Sequence, residues 1–353
     1  MKKWNLGVIG VLLVMLSSCE TDVELIQDYE QNSFIFGLLD QHVDTQFVRV
    51  NKAFLGTLSI EEMAAIGDSI NYQPGDLKVE LNLKSFFNLQ GRILPDRDET
   101  VELQELTVSK STGLFNNDDY TVFYTTTAIP QEENNVPVDY ELIVTNLRTG
   151  KVISGKTQLI EDTRLDQPNP NSSTVSFSKL TPNGFIFQDN FNVEWKSKRN
   201  AVKHEVYVRF YYDEINLSTS DTTYNSFDYF AGTAENPGGN SGASLFTVFD
   251  PLNFFKEIGR RLEVKTGIER IRPRIQIYMI IANQDFSLYV DASSPSNDIN
   301  QNKPSYSNLS NGLGIFGARN SSFVTTRDLR FNQSSLDLLL ESTETRDLSF
   351  KPI

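Results

Sequence analysis

The chain is nearly empty of the side chains that carry thiol and metal chemistry: its 353 residues include one cysteine, Cys19, and two histidines, His42 and His204. A single cysteine excludes an intrachain disulfide, so the folded body must hold together by packing. The two histidines stand far apart and outside any ligand-spaced cluster with the acids, which argues against a zinc site; no metal and no cofactor is expected. Nucleotide and acyl-transfer signatures are missing as well, with no phosphate-binding loop, no GxGxxG after a strand and no GxSxG nucleophile elbow. Positive charge is scarce: 32 Lys and Arg stand against 46 Asp and Glu, a formal net charge of -14. A surface of that sign repels phosphate backbones, so nucleic acid is not an expected partner, and the same excess of acid keeps a protein soluble.

Long apolar runs are missing everywhere except at the start. Lys2 and Lys3 precede an apolar stretch from Leu6 to Leu16, and at about 11 residues it falls well short of the roughly 20 that span a bilayer. Residues 1–18 therefore read as an export signal peptide. The stretch Leu16, Ser17, Ser18, Cys19 resembles the lipobox of bacterial lipoproteins, whose cysteine is lipidated on sulfur and becomes the new N-terminus. That resemblance implies an anchor at Cys19, where more than one acyl chain gives stable attachment without spanning the membrane. Residues 19–32, polar and acidic with little periodicity, read as a flexible tether.

Beyond the tether the sequence is that of a globular protein, with 39% hydrophobic and 11% aromatic residues. The dominant period is two. "LKVELNL", "YTVFY" and "YELIV" alternate as half-buried strands do, and Arg148, Thr149 and Gly150 sit between two such runs as a hairpin turn. The expected fold is mainly β: an immunoglobulin-like β-sandwich over residues 33–165, a linker at 166–173 marked by prolines, asparagines and serines, and a second β-rich domain with a few short helices over 174–332, followed by a C-terminal tail at 333–353. One helix is expected near Ser59 to Ile66, where Ser59 and Glu62 have capping-box spacing, and another after Asp250 and Pro251, with Leu252, Phe255, Ile258 and Leu262 at helical intervals. Residues 228–245, "DYFAGTAENPGGNSGASL", read as a surface loop, either functional or a tolerated insertion.

Candidate chemistry is thin. Asn116, Asn117, Asp118 and Asp119 lack the alternating oxygen positions of a calcium loop and read as a turn. Asp213 and Glu214 follow a tyrosine-rich strand, and a retaining glycosidase needs only two close carboxyl groups; solvated strand ends are the plainer reading. "NGLGIFGA" at 311–318 fits no phosphate cradle and reads as a glycine-permitted turn or bulge in a closing β-segment. The clearest sign of binding is one strand face carrying Tyr207, Arg209 and Tyr211, opposite Val206, Val208, Phe210 and Tyr212. Exposed, that face would stack on sugar rings or a protein partner; alternatively, it packs under the loop at 228–245.

The lipobox, the run "FIFGLLDQHVDTQFVRVNKAFLG" and the late "NLSNGLGIFGARNSS" together resemble uncharacterised two-domain outer-membrane lipoproteins of Bacteroidota, some associated with TonB-dependent receptors. Glu20, Asp22 and Glu24 resemble the acid-rich signal that directs lipoproteins of that phylum to the cell surface. The resemblance implies a protein held to the outer membrane by its N-terminal lipid, facing outward, with a TonB-dependent receptor or a glycan as partner, and it transfers no catalytic residue. The expected function is a non-catalytic accessory protein that binds a partner or ligand. The alternatives are an Asp/Glu-dependent carbohydrate-active hydrolase and a structural envelope protein.

Overall fold

Alternating sequence becomes strand along most of the chain. The computed structural model describes residues 32–53, 70–89, 92–109, 119–133, 136–293 and 306–352. Cys19, Glu20, Asp22 and Glu24, the helix expected near Ser59, and Asn116, Asn117 and Asp118 lie outside the described residues.

The first half contains β1 (Asn32–Leu39), β2 (Gln46–Ala53), β3 (Leu77–Leu89), β4 (Arg92–Glu102), β5 (Gln104–Val108), β6 (Tyr120–Thr125), β7 (Glu132–Glu133), β8 (Val136–Pro137), β9 (Asp139–Asn146) and β10 (Val152–Gln158). In β3 the sequence pattern maps directly onto burial: Leu77, Val79, Leu81 and Leu83 are buried while Lys78, Glu80 and Asn82 are only partly covered. The β9–β10 hairpin closes at the expected turn, where Gly150 takes φ 72° and donates its amide to Asn146 O at 2.8 Å. One four-stranded sheet has the order β10-β9-β3-β4, and its inward residues share a core with those of β1, β2 and β6.

The second half contains β11 (Leu165–Gln167), β12 (Thr174–Val175), β13 (Ser178–Thr181), β14 (Gly184–Phe187), β15 (Phe191–Lys196), β16 (Lys203–Asn216), β17 (Thr222–Glu235), β18 (Ser244–Phe249), β19 (Ile268–Ala282), β20 (Leu313–Phe323) and β21 (Leu329–Phe331). Three helices among the described residues are α1 (Pro251–Arg261), α2 (Gln284–Ser293) and α3 (Gln333–Glu341). Asp250 caps α1 as expected, accepting the Leu252 amide at 2.8 Å, and Phe254, Phe255 and Ile258 bury its apolar face. The buried Phe177 ring meets Phe191 at 5.0 Å, Phe331 at 5.2 Å, Phe254 at 5.5 Å and Phe255 at 5.9 Å. Tilted and edge-on pairs of this kind each add about 0.5–1.5 kcal/mol to the stabilisation from burial alone.

The two halves are joined by backbone hydrogen bonding. The first part of β20 runs parallel to β1, from Phe34 opposite Leu313 to Leu39 opposite Ala318. Its second part pairs antiparallel with β19, from Ala282 opposite Arg319 to Tyr278 opposite Phe323. A ten-stranded sheet therefore crosses the expected boundary between 33–165 and 174–332. Gly314 sits at the closest approach: at φ 104°, a Cβ built there would stand 2.0 Å from Ile35 O, so glycine is required by the neighbouring backbone and not by a turn. The expected linker is also structured, since Leu165 and Gln167 pair with β15.

Within residues 333–353, expected as a tail, α3 and the segment around Leu348 and Phe350 pack into the core. Leu339 of α3 is fully buried, as are Leu348 and Phe350 almost completely. The guanidinium of Arg270, 1% exposed, donates to Leu348 O at 2.7 Å and to Glu214 Oε1 at 2.7 and 2.9 Å, while the Arg270 backbone accepts from Lys351 N and donates to Ser349 O.

Candidate functional site

In an antiparallel ladder, directly paired residues point to the same face. Tyr207 of β16 pairs with Phe230 of β17 and Tyr278 of β19, and Tyr278 pairs with Phe323 of β20. The result is a row of four aromatic rings across four adjacent strands. Tyr207 and Tyr278 stack with centroids 5.0 Å apart and planes 10° from parallel; Phe230 leans on Tyr207 at 5.4 Å and Phe323 on Tyr278 at 5.6 Å. The end rings are open to solvent, Phe230 at 52% and Phe323 at 47% exposure, and the central tyrosines are half-buried by their neighbours.

The adjoining row is polar. Arg209 lies between Asp228 and Gln276 and grips Asp228 with two hydrogen bonds, Nε to Oδ1 at 2.6 Å and Nη2 to Oδ2 at 2.9 Å. The Tyr278 hydroxyl donates to the same Asp228 Oδ2 at 2.9 Å, and the Arg209 guanidinium lies 4.9 Å from the Tyr278 ring and 5.5 Å from Phe323. In the next row Tyr211 donates to Gln276 Oε1 at 2.9 Å and carries Arg274 over its ring at 5.3 Å. Tyr207, Arg209 and Tyr211 thus share a face, as their alternation predicts.

Four ionisable groups here, Arg209, Asp228, Tyr207 and Tyr278, are shifted by their surroundings. The paired Arg209 guanidinium holds the Asp228 carboxyl below its ordinary value, and Asp228 in turn raises Arg209. Burial, aided by the nearby carboxylates Glu205 and Asp228, pushes the phenols of Tyr207 and Tyr278 up to about 12. The face thus sets an ionised carboxylate gripped by arginine beside two phenols held neutral.

The segment 228–245 is not a loop over this face. Residues up to Glu235 belong to β17, β18 begins at Ser244, and the short turn between them binds elsewhere: Asn236 Nδ2 donates to Ser197 Oγ at 2.7 Å, Asn200 N donates to Gly239 O and Gly242 N to Ser197 O.

The carboxylates considered for hydrolysis are engaged by arginines. Asp213, 1% exposed, lies 2.9 Å from Arg272 and 3.3 Å from Arg274, whereas Glu214 is held by Arg270 and Lys265, which lower its pKa against the opposing effect of burial. His42 places Nε2 2.8 Å from Asp162 Oδ1, which also accepts from Gln41 at 2.7 Å and from Asn320 Nδ2 at 2.9 Å; the group clamps the β1–β2 turn onto β20. His204 is buried beside Trp195, with ring centroids 5.5 Å apart.

Sequence reasoning missed Asp228, Phe230, Gln276, Tyr278 and Phe323. Gln276 and Tyr278 do share a parity in "RIQIYMII", but which strands lie beside β16 is a property of the tertiary pairing.

No protein-family model and no curated protein matches the chain. Among solved structures it is similar to the C-terminal globular domain of an oligosaccharyltransferase from Pyrococcus abyssi, with 8% sequence identity, a TM-score of 0.24, and coverage of 72% of this chain and 49% of that one. The chain spans about half of that structure, and a likeness so slight carries neither fold nor function.

Proposed function

We propose that this chain is a lipid-anchored accessory protein of the outer membrane that binds a protein partner through the aromatic face of β17, β16, β19 and β20. The observation that carries this reading is the open row Phe230, Tyr207, Tyr278, Phe323 beside the Arg209–Asp228 pair. Protein interfaces are enriched in Tyr, Phe and Arg at their centres, and a few such side chains supply most of the binding energy. Phe230 and Phe323 present apolar area at the two ends of the row, and the gripped Arg209 adds directional polarity without a free charge to desolvate. Anchoring rests on the lipobox at Cys19, and outward orientation on Glu20, Asp22 and Glu24; an outer-membrane receptor of the TonB-dependent kind is the partner this placement favours. The engagement of Asp213 and Glu214 by arginines supports binding over hydrolysis.

Photo-crosslinking in intact cells tests the reading. A photoreactive residue at Phe230 or Phe323 is expected to give a discrete adduct with a single outer-membrane protein, while one at Leu180, more exposed still but in the separate β13–β14 sheet, gives none. Tyr207→Ala combined with Tyr278→Ala should remove the adduct. Failure of both positions to crosslink above the Leu180 control overturns the assignment.

A further inference from the structure

A cleft of about 530 Å³ opens where the outer face of the β10-β9-β3-β4 sheet meets the turns of the second half. We infer that it is a second binding site, and that its ligand is an uncharged oligosaccharide. Its size falls in the range of small-molecule sites, roughly 300–1,000 Å³.

Strand register builds one wall. Lys84, Asp139 and Gln158 are cross-strand neighbours, and so are Glu141 and Lys156 in the next row, with Phe86 at the end. The other wall is made by Asn200, Gly239, Asn283 and Gln284. Hydrogen bonds run from one wall to the other and fix the width: Asn200 Nδ2 donates to Gln158 Oε1 at 3.3 Å and to Leu159 O at 3.1 Å, and Asn283 Nδ2 donates to Thr157 Oγ1 at 3.0 Å. Asn200 and Gly239 both hold left-handed backbone, at φ 63° and 57°, and the Asn200 amide donates to Gly239 O at 2.9 Å. Walls tied in this way form a cleft before any ligand arrives, which lowers the entropy lost on binding.

Its charges are of both signs, and this selects against a strongly charged ligand. Lys156 lies 3.5 Å from Glu141, Asp139 accepts from Gln158 Nε2 at 2.5 Å, Asp285 accepts from the Tyr306 hydroxyl at 2.5 Å, and Lys84 lies 3.9 Å from Asp98. Among the described residues, Lys84 and Lys156 each lie beside a carboxylate and Asp139 and Asp285 have only neutral donors, so the lining does not favour a phosphate, and no group of three or more ligating side chains could hold a metal ion. What remains are neutral groups of mixed character: the exposed Gln284 amide, whose side chain makes no hydrogen bond among the described residues, and the Asn200 carbonyl oxygen. Sugar hydroxyls both donate and accept, and so complement amides that do the same. Phe86, 44% exposed, offers an apolar surface for the C–H face of a sugar ring.

The test is affinity electrophoresis of the full chain, purified in detergent, through gels containing xylan, mannan, laminarin or soluble starch, with polygalacturonate and dextran sulfate as charged comparisons. Retardation by at least one neutral polysaccharide is expected. Phe86→Ala and Gln284→Trp, both at exposed positions and checked for folding by circular dichroism, should each weaken it by about tenfold. Tyr207→Ala should leave it unchanged, which separates this site from the aromatic face. The inference is overturned by no retardation in any neutral gel, by retardation only in the charged gels, or by binding that survives both cleft variants.

Discussion

His204 is a titratable ring placed where only its neutral form is tolerated. It is fully buried, and among the described residues neither ring nitrogen, nor Trp195 Nε1 beside it, has a hydrogen-bond partner. Burial lowers its pKa from 6.5 to about 4. As pH falls below 6.5 the unfolded chain takes up a proton that the folded chain refuses, so stability is lost progressively down to about pH 4, in total roughly 3 kcal/mol. Carboxylates with lowered pKa values, such as Asp228 and Glu214, lose their contribution as pH falls from the ordinary carboxylate range down to their lowered values. Urea unfolding at pH 7, 5.5 and 4.5 should therefore show a falling midpoint for the native chain and a flatter profile for His204→Phe. Equal slopes for the two proteins would remove His204 as the cause. The residue's identity could be read from the sequence, but its role could not, because burial among Trp195 and the β16 core follows from packing.

Among the elements, α1 gives the cleanest test of a local rule. Asp250→Ala removes the side chain that accepts the Leu252 amide and should lower stability by about 1 kcal/mol, with Asp250→Asn largely restoring it; chemical denaturation midpoints measure both. This helix, the β9–β10 hairpin and the strands β3, β6 and β16 were legible because their signals are local: a cap followed by proline, a glycine turn, strict alternation of polar and apolar residues. The role of β20 was hidden. Its first half reads as glycine-rich closing sequence, and the reason for Gly314 lies in Ile35, a residue near the other end of the chain. The same limit applies to the aromatic face. Alternation in β16 put Tyr207, Arg209 and Tyr211 together, whereas Phe230, Tyr278 and Phe323 joined them only through pairing with strands distant in sequence.

At the scale of the whole molecule, the segment from α3 to Phe350 belongs to the core. A chain ending at residue 332 would lose Leu339, Leu348 and Phe350 from the interior and leave the buried Arg270 without its acceptor at Leu348 O. Leaving one buried donor without its acceptor costs about 1–3 kcal/mol, and each large apolar side chain lost adds about 2–5 kcal/mol. The truncated chain is expected to unfold at room temperature and to lack the cooperative thermal transition expected of the full chain; a transition within a few degrees of that of the full chain would show those residues to be peripheral. Pairing between β1 and β20 sets a further condition, on the order of events during synthesis. The strand that closes one edge of the first sheet comes from near the far end of the chain, so that edge stays bare for most of the time the chain is being made. Contacts so distant in sequence form slowly and late. A protein wired in this way cannot complete its largest sheet until nearly all of the chain has been made.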